Sequence, residues 1–232
     1  MEAVSNIWNN LDWSVLSDML LRVLPALLCI TLHELSHGYV AYRLGDTTAK
    51  DAGRLTLNPV RHIDPMGLLM MVIFRFGWAR PVPVNMYRFE NPRRGMAVTA
   101  LAGPASNLLI STISLFLYGV TLVPLLYRAR LGQAGVYLSE FFYLTAYISL
   151  GMGIFNLLPI PPLDGSKVLY AVLSDRAYVT LMRYERYGMI ALLVLVWSGV
   201  LGTPLSEAVS WCFDKLLHVA QFGLRLAMGR YA

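Results

Sequence analysis

Residues 96–127 read MAVTALAGPASNLLISTISLFLYGVTLVPLLY, a run without Asp, Glu, Lys or Arg. A helix needs roughly 20 apolar residues to cross the hydrocarbon core of a bilayer, and this run exceeds that length. Phe141–Leu163 and Tyr187–Ser206 are uncharged over comparable lengths. Val15–Leu32 is apolar apart from Asp18 and Arg22, and its helical pattern continues to Arg43. The 232-residue chain is 56% hydrophobic and 14% charged, with a mean hydropathy of +0.54. A soluble domain carries about 25% charged residues. No polar domain balances these runs, so four buried helices of a soluble protein are a poor account of them. The sequence predicts a polytopic α-helical membrane protein in one domain. Its bundle has about four transmembrane helices, over about 15–43, 96–127, 141–163 and 187–206.

The net charge of +5 raises nucleic acid as a partner, but the distribution of charge argues for a membrane instead. Nine of the 19 Lys and Arg fall in Arg43–Arg94 and four in Lys167–Arg186. If four spans alternate, these two connections share a face, which the positive-inside rule makes cytoplasmic. Residues 207–229 mix Asp214, Lys215 and Arg225 with apolar residues and read as an amphipathic surface helix. Cys29 and Cys212 form no CxxC or secreted pattern and read as packing residues. The start, MEAVSNIWNNLDWS, lacks the basic beginning and short apolar core of a signal peptide, so the first span is expected to be retained.

The connection between the first two spans is too long for a turn. Arg54-Leu55-Thr56-Leu57 alternates like a strand, and Pro81-Val82-Pro83-Val84-Asn85 reads as an extended edge. Met66–Phe74 is apolar but short. Residues 52–89 are therefore expected to form a small re-entrant β-hairpin or sheet with a short helix. Such backbone is tolerated at membrane depth only against protein or water-lined space. The edge Val82–Phe89 would be able to take up an unwound substrate by β-addition.

The chemistry begins at His33-Glu34-Leu35-Ser36-His37. Residues four apart share one face of a helix, so His33 and His37 can bind one zinc ion together. Glu34 projects beside them as a general base. Random placement gives this pattern in about two of a thousand chains of such composition. It falls where an apolar span ends, and polar groups there default to function over packing. A catalytic zinc takes three protein ligands and leaves one position open. Asp164 ends the uncharged run NLLPIPPLDG, at the face where the first span carries the histidines. As an alternative, Asp164 caps a helix from about Ser166, with Gly165 letting the chain turn.

These motifs resemble the site-2 protease family of intramembrane zinc metalloproteases. The resemblance rests on HELSH, on Gly53-Arg54-Leu55-Thr56-Leu57-Asn58-Pro59 with Asp64-Pro65, and on Pro81–Asn85. It continues through Ala102-Gly103-Pro104-Ala105-Ser106-Asn107 and Asn156–Gly165, covering most of residues 25–175. It implies that His33, His37 and Asp164 bind one zinc ion and that Glu34 is catalytic. It further implies that Asn156 lies near the site, as a substrate or oxyanion contact or as a tie for unwound backbone. The chain resembles the compact branch, having no room for PDZ or CBS domains.

Asn107, after Gly103-Pro104, reads as a hydrogen-bonding residue near the site. His62 is either a fourth ligand, a neighbour of the site or a capped loop residue. His218 reads as surface, and the Met66–Met71 cluster as packing. The expected activity is zinc-dependent hydrolysis of a peptide bond in or near the transmembrane segment of another protein. The expected partners are single-pass membrane proteins or signal peptides, within the lipid bilayer and without nucleic acid. The expected location is the plasma membrane of a prokaryote, with the site toward the cytoplasm. The alternatives are a membrane transporter or non-catalytic metal-binding membrane protein, and an inactive relative that binds partners without cutting. A transporter would show paired repeats and broken helices in matching halves, and none is evident.

Overall fold

A computed structural model describes residues 13–74, 77–128 and 132–229. Residues 1–12, on which the expectation of a retained start rests, lie outside them. Helix α1 (Trp13–Arg43) runs unbroken through Pro25 and HELSH. A short α2 (Thr48–Asp51) and a 3-10 turn (Pro59–His62) follow, then α3 (Pro65–Phe74). Asp64 caps α3, its carboxylate accepting from the Met66 and Gly67 amides at 2.8 and 3.0 Å. A second 3-10 turn (Met86–Arg88) leads to α4 (Pro92–Arg128), α5 (Gly132–Asn156) and α6 (Asp164–Tyr170). Helices α7 (Asp175–Trp197) and α8 (Gly202–Gly229) follow.

Among the described residues, α4 and α5 are each long and apolar enough to cross a membrane alone. The α7–α8 pair makes a third span if counted as one, but it bends by 84° at the break. The expected run 187–206 is therefore not one straight helix. Gly199 takes φ 73°, a left-handed conformation open to glycine. Pro204 falls in the first turn of α8, where its missing N–H costs nothing. The run 141–163 is also shortened: α5 stops at Asn156, and the Pro159, Pro161 and Pro162 segment is irregular up to Leu163. α1 carries His33, Glu34, Ser36 and His37 in its second half.

Helix α4 is the axis of the bundle, packing on α1, α5, α6 and α8. Leu115 of α4, Ala146 and Leu150 of α5, and Phe213 and Ala220 of α8 form a buried core. Helix α8 reaches it because small residues let backbones touch. A Cβ on Gly119 would collide with the Ala220 carbonyl, and one on Gly223 with the Phe116 carbonyl. The C-terminal segment is thus a bundle helix with a buried face, starting earlier than the surface helix expected from 207. Its opposite face exposes Asp214, Lys215 and Arg225.

The expected β-hairpin is not formed. Among the described residues no strand occurs, and one antiparallel bridge joins Ile63 to Ala79. Residues 80–84 form no helix or strand and Asn85 is extended, and Pro81 and Pro83 remove two of the donors a ladder needs. Carboxylates take two of the other amides: Val82 N–H donates to Glu34 at 2.8 Å and Asn85 N–H to Asp46 at 2.6 Å. Met86–Arg88 then coils into a 3-10 turn, so Val82–Phe89 is not the continuous edge that β-addition requires.

Asp46 is fully buried and joins α1's end to this segment. Burial opposes its charged form, but the Thr48 hydroxyl, the Asn85 and Thr48 amides and Arg88 together outweigh that and hold the carboxyl below its usual range. A carboxyl depressed by folding stabilises the protein above its unfolded pKa, and that share is lost as pH falls through the folded value. The gap in Tm between wild type and Asp46→Asn, measured in detergent, should accordingly be widest near neutrality and close as pH falls. Gly119→Val should lower stability by about 1–3 kcal/mol through overpacking, seen as a lower Tm in the same medium.

Candidate metal centre

Three stretches meet at one end of the bundle. HELSH lies in the second half of α1, Thr99 and Gly103 near the start of α4, and Asp164 opens α6 just after α5 has ended. His33 and His37 sit one turn apart with ring centroids 4.6 Å apart and nearly perpendicular planes. Their Nε2 atoms are 3.0 Å from each other. Asp164 Oδ2 lies 3.1 Å from His33 Nε2 and 3.0 Å from His37 Nε2. All three residues are buried.

The donor chemistry fits a cation. His37 Nδ1 lies 2.7 Å from the Thr99 carbonyl oxygen, which can only accept. Nδ1 therefore carries the proton of neutral His37, and Nε2 presents a lone pair. That lone pair faces a carboxylate oxygen and a second imidazole nitrogen at hydrogen-bond distance. A cation among them would satisfy all three at once. Ligands bonded to zinc at 2.0–2.1 Å in a tetrahedron lie about 3.3 Å apart, close to the spacing here. Two nitrogens and one oxygen also leave the fourth position for water.

Asp164 is not the N-cap of α6. Leu163 is the cap residue, and the carboxylate of Asp164, in the first turn, turns to the histidines and to Lys167 Nζ at 3.2 Å. Gly165 does not serve as a turn; it lies inside α6, where a Cβ would strike the Leu157 and Leu158 carbonyls. The bare backbone there lets the proline-rich loop fold over α6. Glu34 is outside the trio, its carboxylate held by the Val82 amide.

The remaining expected residues separate from the trio. His62 is fully buried in the loop region, its Nε2 donating to the Thr56 carbonyl at 2.9 Å while its own carbonyl accepts from Arg80 N–H at 2.9 Å. It ties the loop together and is not among the three grouped residues. Asn156 donates to the Met152 carbonyl of its own helix at 3.0 Å. Asn107 is fully buried one turn beyond Gly103, its amide atoms without partners among the described residues. His218 is exposed, beside Gln221, as expected.

Sequence reasoning passed over Thr99 and Lys167, and read Gly103 only as part of a packing motif. A Cβ on Gly103 would collide with His33 Cε1 and His37 Nε2, so the absence of a side chain makes the room at the centre. Lys167 was open to discovery at three residues after Asp164 on one helix face. The Thr99 contact uses a backbone carbonyl and leaves no mark on residue type.

Replacing His33, His37 or Asp164 by Ala should lower bound zinc measured by atomic absorption. Gly103→Ala should do the same by displacing both rings, whereas His62→Ala should leave zinc content unchanged.

Comparison with known proteins points to a zinc enzyme. The model of peptidase family M50 matches residues 23–198. "Putative zinc metalloprotease YwhC" of Bacillus subtilis is 40% identical over 196 residues, 84% of this chain and 86% of that protein. "Putative zinc metalloprotease Rip2" of Mycolicibacterium smegmatis is 31% identical over 192 residues, 81% of this chain and 71% of its own. The protein of that name from Mycobacterium tuberculosis H37Rv is 34% identical over 194 residues, with the same two coverages. No solved structure matches the chain. The chain therefore belongs to peptidase family M50, as a multi-pass membrane zinc metalloprotease.

Proposed function

We propose that this protein is an intramembrane endopeptidase that cuts a peptide bond in or near the transmembrane segment of another membrane protein. The observation that carries the reading is the buried trio His33, His37 and Asp164, set among membrane-length helices with Glu34 beside it. Bound zinc supplies the Lewis acid that makes water nucleophilic near neutral pH. Glu34, next to His33 on α1, takes the proton of the attacking water and returns it to the leaving amine. Lys167, on the second oxygen of Asp164, keeps that carboxylate turned to the histidines.

Asn156, where α5 ends and the proline-rich loop begins, serves in this reading as a donor to the substrate carbonyl. That role requires it to give up the Met152 carbonyl when substrate binds. The substrate is a single-pass protein or a signal peptide, unwound locally to expose its amide. The basic connection 43–94 supports a site at the cytoplasmic face of a prokaryotic plasma membrane, because α1 ends and α4 begins there.

Purified protein in detergent with a single-span reporter tests the proposal. Cleavage should stop on zinc chelation and return with zinc. Glu34→Gln keeps size and loses the base, so it should keep one zinc per chain and lose at least about 100-fold in rate. Cleavage by Glu34→Gln at the wild-type rate would remove Glu34 from the chemistry, and cleavage confined to soluble peptides would remove the membrane substrate.

A further inference from the structure

The segment 80–85 has no partner strand, yet it is held at three points by charged side chains. At one end the Arg54 guanidinium donates to the Arg80 carbonyl at 2.6 Å. At the other the Asp46 carboxylate accepts the Asn85 amide at 2.6 Å. Between them the Val82 N–H meets the Glu34 carboxylate at 2.8 Å. Arg80 is fixed from its other side by the His62 carbonyl.

Both anchors are unusual. Arg54 is only 6% exposed and Asp46 is fully buried. A buried guanidinium is costly without a charged or hydrogen-bonded partner, and here its partner is a main-chain carbonyl while Nε has none among the described residues. Burial, together with the Arg80 and Arg61 charges, disfavours the Arg54 cation, and Glu34 is the carboxylate that favours it. So Arg54 both grips the segment and lies within the field of Glu34. Packing of Leu55 or of the Val82 side chain against Gly38 needs no cation at 54, so apolar contact alone leaves it unexplained.

We propose that Arg54 and Asp46 are positioning residues for the general base: they hold the two ends of the 80–85 strap so that the Val82 amide fixes the Glu34 carboxylate. The inference rests on Glu34 as base. The Val82 N–H occupies one carboxylate oxygen and leaves the other for the attacking water. With the strap slack, Glu34 rotates and the base is aligned for only part of the time. The fault then appears in turnover and not in zinc or substrate binding.

The test uses the full-length protein in detergent with the single-span reporter, reading kcat, KM and zinc together. Val82→Pro deletes the N–H and keeps an extended backbone between Pro81 and Pro83. Arg54→Met keeps length and removes the donor. Val82→Pro, Arg54→Met and Asp46→Asn should each lower kcat about tenfold or more, the effect of losing a hydrogen bond to a charged group. KM should stay within about twofold and zinc at one per chain. Arg54→Lys, which keeps a charged donor, should recover most of the rate. Because all three act through one amide, either anchor variant combined with Val82→Pro should be no slower than the worse single variant by more than about twofold. Effects that multiply, a wild-type kcat in any single variant, loss of zinc, or no rescue by Lys would overturn the strap. Those results with an inactive Glu34→Gln would leave the base in place, whereas an active Glu34→Gln would remove the base itself.

Discussion

Two imidazole nitrogens and one carboxylate oxygen crowd within about 3 Å of one another at the end of a helical bundle, and the surrounding structure answers to that crowding. Polar groups brought together out of water need compensation, which a cation among them would supply to all three at once, and the protein holds them in place for it. It does so by anchoring each from outside. Thr99 fixes the far nitrogen of His37, Lys167 takes the spare oxygen of Asp164, and the helix geometry of α1 sets the spacing of the two histidines. Gly103 contributes by having no side chain. A metal that satisfies all three at once is therefore also a clamp between α1, α4 and α6.

The bundle's architecture makes that clamp workable. α4 touches every helix that contributes to the site, and α8 closes on it through Gly119, Ala220 and Gly223. Lipid offers apolar side chains no reason to prefer a neighbouring helix, so close backbone approach supplies the cohesion. A rigid far half of the bundle leaves the near half free to be irregular. There the chain leaves α5, runs through prolines and delivers Asp164 beside the histidines. Irregular backbone of this kind persists where protein satisfies its polar groups, and Gly165 under the Leu157 and Leu158 carbonyls shows how tightly that is done.

The segment 80–85 follows the same logic with different partners. Extended backbone looks for a strand, but alternate prolines leave too few donors for a ladder. Glu34 and Asp46 accept the Val82 and Asn85 amides, and Arg54 donates to a carbonyl. The expected hairpin was a sound reading of alternation. It failed because the amides went to carboxylates distant in sequence, a choice invisible to local periodicity.

Membrane-helix character, the histidine pair with Glu34, and the placement of Asp164 at the end of an uncharged run were legible from residue order alone. Each depends on local chemistry: hydropathy over some twenty residues, or two side chains one helical turn apart. His62 shows the limit, since a histidine in a polar loop looks the same whether it faces a metal or a carbonyl. The roles of Thr99, Gly103, Val82, Arg54 and Asp46 lay beyond that limit. They act through main-chain atoms, through an absent side chain, or across 26 to 62 residues of chain. The sequence by itself determined which groups this protein can offer a zinc ion. Only the tertiary structure decided which backbone atoms hold those groups in place, because every amino acid but proline carries the same N–H and every one the same carbonyl, and folding alone selects among them.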